Sequence, residues 1–302
     1  MNSAYSHSPS PKGGVRTLLF VLSLVGASCQ AKVVSDPAPT ALPPTLIGTW
    51  QVAEVHTDQG QSQWSLTRDD QYNIHKYLGR VFVLTPQRLT TNAPEDKRCD
   101  EPKIIAHRTT AGKVVGTSIA SRPFDPVRPT PKDFQLPLTD NTPVEVLSLL
   151  CRDGLYDKNL GGGLDPGVGV QGAWLIVLNK EKLALRWNDE TILILNRLPE
   201  NTKPVASFDC AKASTNVEKT ICGSVPLAAY DQSVSNTYKL AVEYYKTRKN
   251  TIAQLDELKK SQKLWLTQRN TCNTDETCLE KSMGDRIVEI DYEVASYAYD
   301  NR

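Results

Sequence analysis

Near Pro199-Glu-Asn-Thr-Lys-Pro204 the spacing of apolar residues changes from strand-like alternation to the three- and four-residue steps of helices. One element cannot satisfy both periods, so the 302 residues divide into a strand-rich body followed by a helical one. Each is long enough to bury a core of its own. The pattern predicts a two-domain α+β protein, with a strand-rich domain over 46–200 and a helical domain over 206–302.

In the first body Thr49 to Val55, Arg80 to Leu84, Val144 to Cys151, Ala173 to Leu178 and Thr191 to Arg197 read as strands. Many of these positions are β-branched or alternately apolar. Asn179-Lys-Glu-Lys182 and Trp187-Asn-Asp-Glu190 read as hairpin turns. Short antiparallel strands over such a length predict a barrel or sandwich. Ile47-Gly48-Thr49-Trp50 resembles the Gly-x-Trp opening of lipocalin-like (calycin) barrels. The resemblance implies a closed antiparallel β-barrel whose floor is sealed by Trp50, with Arg197 of the last strand stacked across it. It also raises the reading of a small-ligand binder. An interior filled by its own side chains is the plainer expectation. Cys99 and Cys151 are the only cysteines of this body and are expected to pair. Closing that loop contributes roughly 4 kcal/mol in the chain-entropy model.

Lys12 and Arg16 precede an uncharged apolar run from Thr17 to Gly26, which predicts a secretory signal peptide over 1–28. The run is too short for a membrane span, which needs about 20 apolar residues, and the chain has no other long apolar segment. Gly26-Ala27-Ser28-Cys29 resembles a bacterial lipobox. That resemblance implies a lipoprotein acylated at Cys29 and, because Gln30 follows, sorted to the outer membrane facing the periplasm. Cleavage after Ala27, giving a secreted or periplasmic protein, is the alternative. Seven cysteines favour acylation, since removing Cys29 leaves an even six. The stretch 29–45, with Pro37, Pro39, Pro43 and Pro44, reads as a tether.

In the second body Thr215-Asn-Val-Glu218 has the spacing of a capping box before a short helix ending at Cys222. Ser224 with Pro226 just inside opens a longer helix. Leu227, Tyr230, Val234, Tyr238, Ala241 and Tyr245 form its apolar stripe. Similar stripes mark a second helix from Ile252 to near Cys272 and a third from Leu279 to Tyr297. Three amphipathic helices predict a small bundle. Phe208-Asp-Cys210, Val217-Glu218-Lys-Thr-Ile-Cys222, Leu227-Ala-Ala-Tyr-Asp231, Gln262-Lys-Leu-Trp265, Arg269-Asn270-Thr-Cys272, Cys278-Leu279 and Arg286-Ile287 run through this segment. Together they resemble the LprI-type lysozyme-inhibitor domain of bacterial envelope proteins, over about a third of the chain. Tyr230 stands where that family usually has Leu. The resemblance implies a lysozyme-binding protein without catalytic activity, with Asp231, Gln262, Trp265, Arg269, Asn270 and Arg286 as motif residues.

Four cysteines allow three connectivities. A helical hairpin would bring Cys272 to Cys222 and leave Cys210 for Cys278; the pairings 210–222 with 272–278, and 210–272 with 222–278, remain open. Trp265 and Arg269 share a helix face. The structural reading, a core Trp beside an Arg paired to Asp231, is preferred over direct partner contact.

Thirty-five Lys and Arg against 34 Asp and Glu leave +1, which argues against a nucleic-acid binder. No HExxH or CxxC is present, so neither a metal nor another cofactor is expected from His7, His56, His75 or His107. Gly161-Gly-Gly-Leu-Asp-Pro-Gly-Val-Gly169 lacks the Gly-Lys-Ser/Thr of a phosphate loop. The segment from Asp275 to Arg302 carries eight acids and three bases. Animal-type lysozymes are basic, so an acidic helix could steer them, with Glu289 and Glu293 on one face as candidate contacts. Rival expectations are an immunity or accessory protein against another peptidoglycan-directed toxin, and the small-ligand binder.

Overall fold

The structure, a computed structural model, describes residues 38–59, 70–94, 98–119, 128–156, 170–188 and 191–300. The signal-like segment with His7 and Cys29, the glycine-rich stretch 161–169, Asp189, Glu190 and Arg302 lie outside the described residues.

Eleven strands are found among the described residues: β1 (Thr40–Ala41), β2 (Gly48–His56), β3 (Val81–Leu84), β4 (Arg88–Thr91), β5 (Cys99–Asp100), β6 (Lys103–Thr110), β7 (Pro143–Cys151), β8 (Gly154–Leu155), β9 (Trp174–Asn179), β10 (Lys182–Trp187) and β11 (Thr191–Arg197). Between them lie α1 (Asp70–Tyr77) and α2 (Ala111–Ser118). A 3₁₀ turn at Cys210–Lys212 leads into α3 (Asn216–Gly223), α4 (Val225–Lys246), α5 (Ile252–Asn270) and α6 (Glu276–Asp300). Thr40 and Ala41, within the stretch read as a tether, pair with Ile104 and Lys103 of β6.

The expected closed barrel is not what forms. The strands make one antiparallel sheet in the order β1-β6-β7-β9-β10-β11-β2-β3-β4-β5, with β8 beside β7, and the sheet does not close on itself. β5 and β7 are joined by the Cys99–Cys151 disulfide and by the Arg152 N–H donating to the Asp100 carbonyl at 2.9 Å, not by a strand ladder. The physical reason lies in the strand sequences. A small barrel turns one face of each strand to water, whereas the central strands here are apolar on both. Leu193 and Leu195 of β11 enter the core on one face, with Trp50, Phe82, Leu149, Leu185 and Trp187. Ile192 and Ile194 enter a second core on the opposite face, with Trp174, Ile176 and Ala184. Val114, Val115 and Ile119 of α2 and its end, with Phe134 and Leu136, cover that second face. The sequence pattern of β9 and β11, read as barrel strands, is the pattern of strands buried on both sides.

One local feature of the lipocalin-like opening is present without closure. The Arg197 guanidinium lies 4.1 Å from the Trp50 ring centroid and donates to the Ile47 carbonyl at 2.9 Å. Trp50 Nε1 donates to the Leu46 carbonyl at 2.9 Å. Gly48 sits at φ 139°, and a Cβ there would lie 2.6 Å from Arg197 Nη1, so only glycine admits the stacked arginine.

In the helical part Thr215 and Glu218 complete the capping box, and Ser224 caps α4 with Pro226 in its first turn. The hairpin disulfides favoured from the sequence are replaced by two local ones, Cys210–Cys222 and Cys272–Cys278. Only three residues separate Cys272 from α6, so its nearest partner is Cys278, with the Cα atoms 5.5 Å apart. Val217, Ile221, Leu227, Tyr230, Trp265, Met283 and Ile287 form the main helical core. Among the described residues no helix is long and apolar enough to cross a membrane.

Candidate functional site

The residues that carry the family resemblance meet in two buried clusters. In the first, Asp231 of α4 accepts the Ser207 N–H at 2.7 Å and faces Arg269 of α5 across 3.6 Å. Arg269 also lies 5.2 Å from the Trp265 ring centroid and donates to Asn270 Oδ1 at 3.1 Å. Burial pushes the Arg269 pKa down, and the Asp231 and Glu218 carboxylates oppose that shift. Trp265 Nε1 donates to the Ser282 carbonyl at 3.1 Å, tying α5 to α6.

In the second cluster Arg286 of α6, only 2 % exposed, is surrounded by acceptors. It donates to Gln262 Oε1 at 2.9 Å, Ser261 Oγ at 2.9 Å and Glu289 Oε2 at 3.2 Å, with Glu293 Oε1 at 3.8 Å. Glu289 and Glu293, expected as partner contacts, therefore neutralise a buried guanidinium within their own helix. Desolvation raises the Glu293 pKa, with Arg286 opposing. Replacing both acids with lysine would set cations against Arg286, so charge reversal there does not probe a partner cleanly. The acidic face keeps other partly exposed carboxylates, but Asp285 is engaged by Lys281 at 2.7 Å and Asp275 caps the Cys278 N–H at 3.0 Å.

Sequence reasoning missed a third cluster, where the sheet meets the helices. Arg80, fully buried just before β3, stacks on the Tyr230 ring at 3.4 Å and donates to Ser233 Oγ at 2.9 Å and the Leu78 carbonyl at 3.0 Å. Among the described residues its Nε and Nη1 find no hydrogen-bond partner. Tyr230 donates to the Asn92 carbonyl, and Asn92 Nδ2 donates to Glu280 Oε1 at 3.3 Å. Burial lowers the Arg80 pKa and raises that of Glu280. An arginine at the start of an apolar strand was the available signal. Beside this junction a cleft of about 270 Å³ is lined by Gln51, Leu78, Lys203, Gln232, Ser233 and Asn236, among others.

The core on the first face of the sheet leaves only about 10 Å³, lined by Trp50, Phe82, Tyr156 and leucines. That is room for about one water. His56, His75 and His107 lie on β2, α1 and β6. Among the described residues no group of three His, Cys, Asp or Glu could hold a metal. Comparison with protein-family models, with curated proteins and with solved structures found no match.

Proposed function

We propose that this is a non-enzymatic, lipid-anchored protein of the bacterial envelope that binds and inhibits a lysozyme, with an animal-type lysozyme as the first partner to try. One observation supports the reading. The residues that carry the likeness to LprI-type domains join the three long helices of one body, Asp231 to Arg269 and Gln262 to Arg286. They act as a common scaffold, so the inhibitory contacts belong to exposed positions around it. The filled interior of the sheet gives no support to a small-ligand carrier. Turbidity assays of lysozyme on cell-wall suspensions, with and without the purified protein, test the proposal. Slower clearing is expected. Unchanged clearing across animal, bacterial and phage lysozymes at excess protein would refute it. The anchor is tested separately by palmitate labelling of wild type and Cys29→Ser. Label is expected in the first only, and equal labelling or none in either would refute it.

A further inference from the structure

The hairpin tip between α4 and α5 combines a cluster of exposed cations with an exposed isoleucine. Lys246, Arg248 and Lys249 are all exposed, and none pairs with a carboxylate among the described residues. Ile252, three residues beyond Lys249, is 77 % exposed, the highest value among the exposed large apolar side chains. Between Lys239 and Ile252 the chain has four cations and one carboxylate, Glu243. Cations at the end of α4 favour its dipole, and Arg248 does donate to the Tyr244 carbonyl at 3.3 Å. That accounts for Arg248; it does not account for an isoleucine held in water.

The tip is also built rather than loose. Asn250 takes the left-handed conformation at φ 61°. The buried Thr251 hydroxyl bonds the Tyr245 carbonyl and the Arg248 carbonyl, the latter at 3.0 Å. Arg248 stacks on Tyr244 at 3.4 Å, and Tyr244 packs edge-on to Tyr245 with centroids 5.4 Å apart. Ala241, Tyr245, Leu258 and Ile290 anchor the base. The order of the tip is therefore set beneath it, with Arg248 held in place on Tyr244 and Lys246, Lys249 and Ile252 left to face an outside partner.

We propose that this tip is a membrane-contact site for bilayers rich in anionic phospholipid. Lysine and arginine hold headgroup phosphates while Ile252 enters the boundary between headgroups and acyl chains. The proposal is independent of lysozyme inhibition and of acylation. Co-sedimentation with vesicles tests it, using the full chain with Cys29→Ser in every sample so that no acyl chain contributes. Binding is expected to phosphatidylcholine vesicles containing phosphatidylglycerol and to fall sharply on phosphatidylcholine alone. Each cation replaced by glutamine should weaken binding about fivefold, and all three about a hundredfold. Ile252→Ser should weaken vesicle binding about tenfold while leaving binding to soluble polyphosphate unchanged. Thermal melts matching wild type verify that the variants are folded. Equal binding to both vesicle types, or no loss in the triple variant, would overturn the proposal. So would full vesicle affinity in Ile252→Ser, which would make the tip a general polyanion site.

Discussion

Among the single residues, Asp231 and Arg269 show most directly why a motif can be legible while its purpose is not. Helix spacing puts Arg269 beside Trp265, and the need of a buried guanidinium for a carboxylate draws in Asp231 from the neighbouring helix. A buried pair costs more to break on one side than it contributes whole. The 3.6 Å separation is too long for a direct hydrogen bond, so Asp231→Asn should cost about 3 kcal/mol in urea unfolding, at the low end for such pairs. A loss under about 0.5 kcal/mol would mean that Arg269 is held by Trp265 and solvent instead. Two other carboxylates set opposite pH limits. Backbone N–H donors of Thr215 and Ser214 lower the Glu218 pKa from 4.5 to about 2. Its contribution is thus complete above 4.5 and is lost as pH falls towards 2. Burial raises Glu280 above 4.5, so its contribution is complete below that value and is lost as pH rises through the raised pKa. Urea unfolding across this range should show the acid limb flattened in Glu218→Gln and the decline with rising pH flattened in Glu280→Gln. Unchanged slopes would place the linked protons elsewhere.

At the scale of elements, cap and stripe signals marked helices well because they are local. Thr215 with Glu218, and Ser224 with Pro226, sit where the chain enters α3 and α4. The strands β9 and β11 were also legible, but their two-sided burial was not taken from the same letters. Leu193 and Ile194 look alike in sequence, and only the covering helix α2 decides that both faces are dry. β6 was missed because Lys103–Thr110 shows no clean alternation, whereas α2 was legible in principle: Ala111, Val114, Val115 and Ser118 fall on one helical face behind the Thr110 cap. Cys99–Cys151 forms as expected, but the pairing favoured for the four C-terminal cysteines does not, because a hairpin argument weighs long-range proximity, yet a short connection made the local partner nearer. Peptide mapping without reduction should recover Cys99–Cys151, Cys210–Cys222 and Cys272–Cys278. A peptide linking Cys222 to Cys272 would refute the local pairing. Loop entropy scales with the residues enclosed, which are 52, 12 and 6 apart. Removing the bridges should therefore cost about 4, 3 and 2 kcal/mol respectively.

Over the whole molecule, the contact between sheet and helices is what sequence reading left out altogether. From Pro37 to Arg302 the chain is one compact unit, and the junction joins Gly79, Arg80 and Asn92 on one side to Ala229, Tyr230 and Ser233 on the other, a pairing that no local period encodes. Tyr230 is informative because it departs from the leucine usual in the family it resembles. Its ring stacks on Arg80 and its hydroxyl reaches Asn92, functions a leucine could not perform. A lone departure gains meaning only once its distant partner is known. Gly79 makes the junction testable. It sits at φ 78°, and a Cβ there would lie 2.7 Å from the Ala229 Cβ of α4. Gly79→Ala should cost about 3 kcal/mol, part from the left-handed backbone and part from the collision. The two parts separate in a double-mutant cycle with Ala229→Gly, which removes the colliding methyl but not the backbone strain. Ala229→Gly alone costs about 1 kcal/mol as a helix glycine. Combined with Gly79→Ala it should cost less than the sum of the two by about 1–2 kcal/mol. Additive costs would mean that the β3 entry and α4 do not touch at this point, and that the sheet and the helices are held together elsewhere.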